Sequence, residues 1–232
     1  MISLSGSFRF EGRWLFKDIE LHLKPEGWTC LLGPSGVGKT TLLRLFAGLE
    51  THGEFQGEVE LVDAHVAYMA QSDLLMPWLD VTGNVTLGER LRGKTPDLPR
   101  AQDLIARVGL ADHAHKYPSE LSGGMRQRAA LARTLMEDCH LVCLDEPFSA
   151  LDARTRAEMQ ELAFELLEAR TVLLVTHDPA EAARLGDRIA ILDERGMRLF
   201  PAARSKPLRA IDEKETLDLQ VRLLASLREA VS

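Results

Sequence analysis

Hydrophobic residues come in two rhythms along this chain. Short unbroken apolar runs recur at Trp28-Thr29-Cys30-Leu31-Leu32, at Leu141-Val142-Cys143-Leu144 and at Thr171-Val172-Leu173-Leu174-Val175-Thr176. Runs of that length and continuity read as strands buried on both faces, as in a parallel sheet. They stop at Gly33, Asp145 and His177. Between them the period lengthens to that of helices. Thr40 to Ala47 reads as a helix closed by Gly48. Asp152 is placed to cap another, with Met159, Leu162, Ala163, Leu166 and Leu167 on one face. Asp178-Pro179 reads as the cap and first residue of a helix running to Gly186. Strands alternating with helices predict an α/β fold built on a largely parallel sheet.

From about Ser72 to Glu120 the strand pattern fades. Turn residues and helical runs such as Ala101 to Val108 take over, so this stretch reads as a mainly helical insert. Lys214 to Val231 has leucines at helical spacing and predicts a terminal amphipathic helix that packs on the core. The expected organisation is a single domain, with a core over about 1–71 and 136–200, a helical subdomain over about 72–135 and a helical tail over about 201–232.

Composition narrows the function classes. The 232 residues are 45% hydrophobic and 27% charged, which is ordinary for a globular chain. The net charge of -7 argues against a duplex-DNA binder, and no nucleic-acid partner is expected. The chain holds no run of about 18 apolar residues that would span a bilayer. Met1 to Phe10 lack the charged-then-apolar pattern of a secretory signal. Cys30, Cys139 and Cys143 are too few and too apolar in setting for a disulfide framework, and read as buried thiols in a cytosolic chain.

The first chemical motif is Gly33-Pro34-Ser35-Gly36-Val37-Gly38-Lys39-Thr40, a phosphate-binding loop set between a strand and a helix. Its glycines let backbone N–H groups turn inward onto phosphate oxygens, and the helix N-terminus adds its dipole. Lys39 supplies a mobile positive charge for the β- and γ-phosphates. The Thr40 hydroxyl suits Mg²⁺, and Thr41 completes the nucleotide-binding set. The second motif is Asp145-Glu146 at a strand end, where ligands of open α/β sheets bind. Asp145 is placed to reach the Mg²⁺ shell, and Glu146 to orient an attacking water and take its proton.

A third motif, Leu121-Ser122-Gly123-Gly124-Met125-Arg126-Gln127-Arg128, resembles the LSGGQ signature of ABC ATPases, with Met125 where Gln is common. Ser122 is a natural helix cap, and Gly123-Gly124 permit close backbone approach. The resemblance runs along almost the whole chain and implies the family's P-loop NTPase fold: a RecA-like core, an antiparallel β-subdomain and a helical insert. It further implies roles for single residues. Phe10 stacks on adenine, with Phe8 and Trp14 close enough to serve instead. Gln71, in the loop joining core to insert, reaches the nucleotide and its Mg²⁺. Asp152, in Ser149-Ala150-Leu151-Asp152, faces the opposite subunit. His177 senses the γ-phosphate and acts with Glu146 in catalysis. Two copies would pack head to tail, each ATP lying between the phosphate loop of one and the Ser122-Gly123-Gly124 turn of the other.

One cassette fills the chain, without coiled coil or Cys-x-x-Cys pairs, which favours a transporter subunit over a non-transport ABC ATPase or another P-loop enzyme such as a nucleotide kinase. Leu74-Leu75-Met76-Pro77-Trp78-Leu79, after Gln71, resembles importers of the nitrate/sulfonate/taurine type and those for pyrimidine thiamin precursors. Such an apolar run is either a packed loop or the rim of a groove for a membrane subunit. The partners implied are a second copy, a transmembrane permease and, through it, an external solute-binding protein. The implied location is peripheral, on the cytoplasmic face of the inner or plasma membrane.

Overall fold

A computed structural model of the chain describes residues 2–61 and 65–229. In chain order the strands are β1 (Ser3–Phe10), β2 (Arg13–His22), β3 (Trp28–Leu32), β4 (Glu54–Glu60), β5 (Val66–Met69), β6 (Leu141–Asp145), β7 (Thr171–Val175), β8 (Arg188–Asp193) and β9 (Gly196–Phe200). The α-helices are α1 (Lys39–Phe46), α2 (Val81–Val85), α3 (Leu87–Leu91), α4 (Leu98–Arg107), α5 (Gly123–Leu135), α6 (Ala153–Leu166), α7 (Pro179–Leu185) and α8 (Lys214–Glu229). The fold is α/β.

The backbone divides into two compact units. The first comprises Met1–Val66, His140–Glu146 and Glu168–Ser232. Its central strands lie in the order β6-β7-β3-β8-β9. β6, β7, β3 and β8 run parallel, and β9 closes the edge antiparallel to β8. Every residue of β3, β6 and β7 is buried, which is why their sequences are apolar throughout instead of alternating. β8 adds a strand beyond those the pattern predicted, and its Ile189-Ala190-Ile191-Leu192 run is equally buried. Cys30 and Cys143 sit inside these strands and Cys139 is also buried, all three as free thiols.

A second sheet in this unit is antiparallel, ordered β2-β1-β4, with Leu4 paired to Leu21 on one side and Val59 on the other. Here the pattern does alternate. Leu4, Phe8, Phe16, Ile19 and Leu21 are buried while many of their neighbours face water. The tail belongs to this unit as well. α8 buries Thr216, Leu219 and Leu223 and packs on α7, and Arg209 donates to the carbonyls of Ala183 (2.9 Å) and Gly186 (3.0 Å). The part of the expected tail helix reaching Val231 lies outside the described residues.

The second unit is Ala67–Cys139 with Pro147–Leu167. It holds α2 to α6, with α5 packed against α2, α4 and α6. Its interior is built from Val81, Val85, Leu104, Ile105, Ala129 and Leu131. Residues 147–167 differ from the expected division, which put them in the core. The reason is local: buried Gln127 of α5 accepts from the N–H of Ala150 at 2.9 Å, and Arg107 of α4 pairs with Glu165 of α6 at 2.8 Å. Among the described residues no helix is long and apolar enough to cross a membrane.

Candidate nucleotide-binding and catalytic site

In the first unit, three adjacent parallel strands deliver their C-terminal ends side by side. β3 ends at Leu32 before the phosphate loop, β6 at Asp145 before Glu146, and β7 at Val175 just before Thr176 and His177. The site follows from strand order, as expected for an open α/β sheet.

The loop is glycine-dependent at two places for different reasons. Gly33 has φ 155°, and a Cβ there would fall 2.1 Å from the Leu192 carbonyl oxygen. Gly38, at φ 105°, begins α1, and a Cβ there would fall 2.9 Å from Leu15 Cδ2. Ser35, Gly36 and Thr40 are exposed, Pro34 and Thr41 half-buried and Val37 buried. Lys39 is buried under the loop, its Nζ donating to the carbonyls of Gly33 (2.8 Å) and Pro34 (2.7 Å). Burial pushes the Lys39 pKa down, while the carboxylates of Glu146 and Asp145 hold it up.

Asp145 is only 1% exposed. Burial raises its pKa and the neighbouring Glu146 charge raises it further. A hydrogen bond with the Thr40 hydroxyl and the charges of Lys39 and Arg44 oppose the rise. Its Oδ2 is buried and finds no hydrogen-bond partner among the described residues. A buried, unsatisfied carboxylate oxygen next to a threonine hydroxyl is a hard-oxygen pair of the type Mg²⁺ takes.

Glu146 has a left-handed backbone, φ 49°. A non-glycine residue there carries a strain on the order of 1 kcal/mol. Its N–H donates to Val175 O at 2.9 Å, which locks the turn onto β7. Glu146 Oε2 lies 3.1 Å from His177 Nδ1, with the carboxylate 16% and the imidazole 61% exposed. His177 sits in a hydrogen-bonded turn of which the sequence reading had the Asp178 cap and missed the Thr176–Glu181 bond. Thr176 Oγ1 donates to Glu181 Oε2 at 2.6 Å and accepts from Asp178 N–H at 3.0 Å, and Asp178 Oδ1 caps α7 through Ala180 N–H at 2.8 Å. The signal was present as a hydroxyl before the histidine and a Glu in the first turn of a capped helix.

The aromatic candidates separate cleanly. Phe8 is fully buried, its ring 5.7 Å from that of Phe16, so it is a core residue and unavailable to a ligand. Phe10 ends β1 and is 42% exposed. Trp14 is 45% exposed, with the Arg9 and Lys17 cations over its ring at 5.6 and 5.9 Å.

The remaining candidates sit in the second unit. Gln71 is exposed, just beyond β5. Ser122 caps α5, its Oγ accepting from Met125 N–H at 3.3 Å. A Cβ on Gly123 would meet nothing closer than Arg126 Nη2 at 3.9 Å, and one on Gly124 would make only ordinary contact at 3.5 Å. Asp152 caps α6, accepting from the N–H groups of Arg154 and Thr155 at 3.1 Å each; a hydrogen bond with the Thr155 hydroxyl first, and these backbone bonds after it, hold its pKa down. Gln127 was also missed. It ties the Ser149–Ala150 loop to α5, with Nε2 lying 3.5 Å from Ser149 Oγ.

The structure thus brings Lys39, Thr40, Asp145, Glu146 and His177 together within one unit and places Gln71 and the Ser122-Gly123-Gly124 turn in the other. Comparisons with known proteins identify the family. Residues 16–149 match the family model described as ABC transporter. An uncharacterized ABC transporter ATP-binding protein of Haemophilus influenzae is 51% identical over 189 residues, 80% of this chain and 79% of its own. The aliphatic sulfonates import ATP-binding protein SsuB of Delftia acidovorans is 41% identical over 229 residues, 97% of this chain and 93% of its own. Among solved structures, the dimeric bacterial ABC transporter cassette MJ0796 superposes with a TM-score of 0.77 at 28% identity, covering 90% of this chain and 100% of that one. A phosphate loop, an acidic strand end, a histidine beside it and a capped double-glycine helix, on a chain matched over this much of its length, place the protein in the ABC transporter family as an ATP-binding, ATP-hydrolysing subunit.

Proposed function

We propose that this chain powers an importer of small organic anions of the sulfonate class. It works as an ATP-closed homodimer on the cytoplasmic face of the membrane, against a permease that receives cargo from an external solute-binding protein. The observation that carries the catalytic part is the Glu146–His177 pair at the ends of β6 and β7, next to buried Lys39. Lys39, now held by loop carbonyls, exchanges them for the β- and γ-phosphate oxygens. Glu146 holds the attacking water and accepts its proton as the water oxygen bonds the γ-phosphorus and the bond to ADP breaks. His177 orients the Glu146 carboxylate and contacts the γ-phosphate. Phe10 stacks on adenine, as its exposed position at the end of β1 allows. Thr40 and Asp145 would hold Mg²⁺, which would neutralise phosphate charge when bound; the unsatisfied Asp145 Oδ2 supports this assignment.

The second half of each site comes from another copy. Neither Gly123 nor Gly124 is demanded by packing inside the chain, since a methyl group fits at both. Their use makes sense if a nucleotide held by a partner's phosphate loop approaches this turn closely. Asp152, exposed at the cap of α6, faces the same partner. The permease docks at the segment after Gln71, where Leu74 is 56% and Trp78 70% exposed. Exposed large apolar residues clustered on a loop are characteristic of interface centres. The sulfonate assignment follows the SsuB relatives, whose names record aliphatic sulfonate import.

Glu146→Gln tests the reading. With ATP, the variant accumulates as a dimer on size-exclusion chromatography with light scattering, and the parent does not. A monomeric variant with saturating ATP defeats the sandwich. Uptake of a labelled alkanesulfonate by the assembled transporter, competed by other sulfonates and not by nitrate or a pyrimidine, tests the cargo class.

A further inference from the structure

The segment from Asp73 to Trp78 has no regular secondary structure, and of its side chains only Leu75 is buried. Packing alone gives such a loop little definition. Its definition comes from polar groups. Arg133 donates from Nη1 to Leu74 O (2.8 Å) and from Nη2 to Asp73 O (2.7 Å), so one guanidinium fork holds two successive carbonyls. Leu74 between them has a left-handed backbone, φ 45°, which the fork maintains. Arg126 donates from Nε to Asp73 Oδ2 at 3.0 Å and from Nη1 to Leu121 O at 2.9 Å. Leu121 directly precedes Ser122. Both arginines stand on α5, so one helix grips the exposed apolar loop and the double-glycine turn together.

We propose that Arg126 and Arg133 are positioning residues that join the permease-docking loop to the Ser122-Gly123-Gly124 turn, so that the two move as one body. The inference rests on the reading of residues 74–79 as the docking surface. Neither arginine touches nucleotide in this scheme. Their task is transmission: a displacement of the docked loop reaches the turn through two guanidinium groups, and ATP-driven closure on that turn returns by the same route. Coupling of this type needs a contiguous element that both ends bias, and α5 with its two forks is one.

The test uses the subunit assembled with its membrane subunits in liposomes, beside the free subunit. Arg133→Lys keeps the charge and loses the fork, while Asp73→Asn removes the carboxylate that Arg126 holds. For both, ATPase of the free subunit and melting temperature stay near the parent, while stimulation by the membrane subunits and transport fall about 5- to 150-fold, the usual range of a coupling factor. Asp73→Glu, which keeps a carboxylate, restores part of the loss. Parent-level stimulation in Arg133→Lys and Asp73→Asn overturns the proposal, as does a loss matched by equal loss in the free subunit. Trp78→Ala separates the two layers. If it assembles and transports normally, the docking surface is wrong and the inference falls with it. If it blocks assembly while the clamp variants couple normally, docking stands and the clamp fails.

Discussion

The two units hold their functional groups by different means. In the first, backbone does the positioning: three parallel strands end side by side, and Glu146 is fixed by its own N–H on Val175 O at 2.9 Å. In the second, side chains do it. Asn84 is fully buried, its Oδ1 accepting from Met76 N–H at 2.7 Å and its Nδ2 donating to the carbonyls of Met76 (3.2 Å), Leu79 (2.9 Å) and Asp80 (3.0 Å). Arg126 and Arg133 hold the Asp73–Leu74 end of the same segment, and Gln127 the Ser149–Ala150 loop, in the same way. Sheet-held groups are placed rigidly, as chemistry on a phosphorus requires. Side-chain-held loops can be gripped firmly and still move as a unit against a partner.

Breaking the first arrangement has the largest effect. Glu146→Gln removes the proposed proton acceptor and leaves the turn intact, so steady-state ATPase is expected to fall by about 10²- to 10⁴-fold with ATP affinity retained. Near-parent turnover would move the base elsewhere. In the second unit, Asn84→Ala strips the side-chain partner from the Met76 N–H and the Leu79 carbonyl, while the carbonyls of Met76 and Asp80 keep backbone donors, Leu79 N–H at 3.1 Å and residue 84 N–H at 2.9 Å. The expected cost is about 2–3 kcal/mol, from leaving buried polar groups unpaired. In a chain of this size that lowers the melting temperature by roughly 5–10 °C. A loss confined to permease assembly, with unchanged melting, would show that the loop is held from outside the unit.

This contrast also decides what the sequence made legible. The buried strands β3, β6 and β7 are continuous apolar runs, and Gly33, Asp145 and His177 stand at or just beyond their ends, so fold class and the proposed catalytic face could be read together. Caps were legible too, because Ser122, Asp152 and Asp178 each accept from the first turn of the helix they begin. Residues 147–167 were harder to place. What joins them to the helical unit is Gln127, and a glutamine in a helix says nothing about which distant N–H it will find. Asn84 and the two arginines were opaque for the same reason. A polar residue on a helix is ordinarily solvated, and only the fold reveals that these turn inward.

Adenine stacking is the smaller test of the first unit. Phe10→Ala is expected to weaken ATP binding by about 1–3 kcal/mol, the worth of a base stacked on an aromatic ring, with little change in the rate at saturation. Trp14→Ala is the control, since its ring already faces Arg9 and Lys17. A larger loss for Trp14 than for Phe10, by titration calorimetry, would transfer the role. Phe8→Ala cannot serve as a control. It empties a buried ring site and costs about 3–5 kcal/mol of stability.

The finest test sets stability against chemistry at a single carboxylate. Burial raises the Asp145 pKa, so the unfolded chain gives up that proton more readily than the folded one. Above the ordinary carboxylate range the unfolded state therefore binds fewer protons than the native state. Stability from this group declines as pH rises from its unfolded pKa through its folded one. Asp145→Asn removes the ionisation. Without nucleotide, the variant melts higher than the parent at neutral pH, and the gap closes as pH falls below the unfolded carboxylate pKa. Adding Mg²⁺ and ATP reverses the order if the unsatisfied Oδ2 is a metal oxygen. The parent then gains more in melting temperature than the variant, because binding to the native state adds stability that grows with the logarithm of affinity. A variant less stable than the parent without ligand at neutral pH would mean that Asp145 is held by its Thr40 hydrogen bond and the Lys39 charge more strongly than burial opposes it. Equal gains with Mg²⁺ and ATP would remove Asp145 from the metal site.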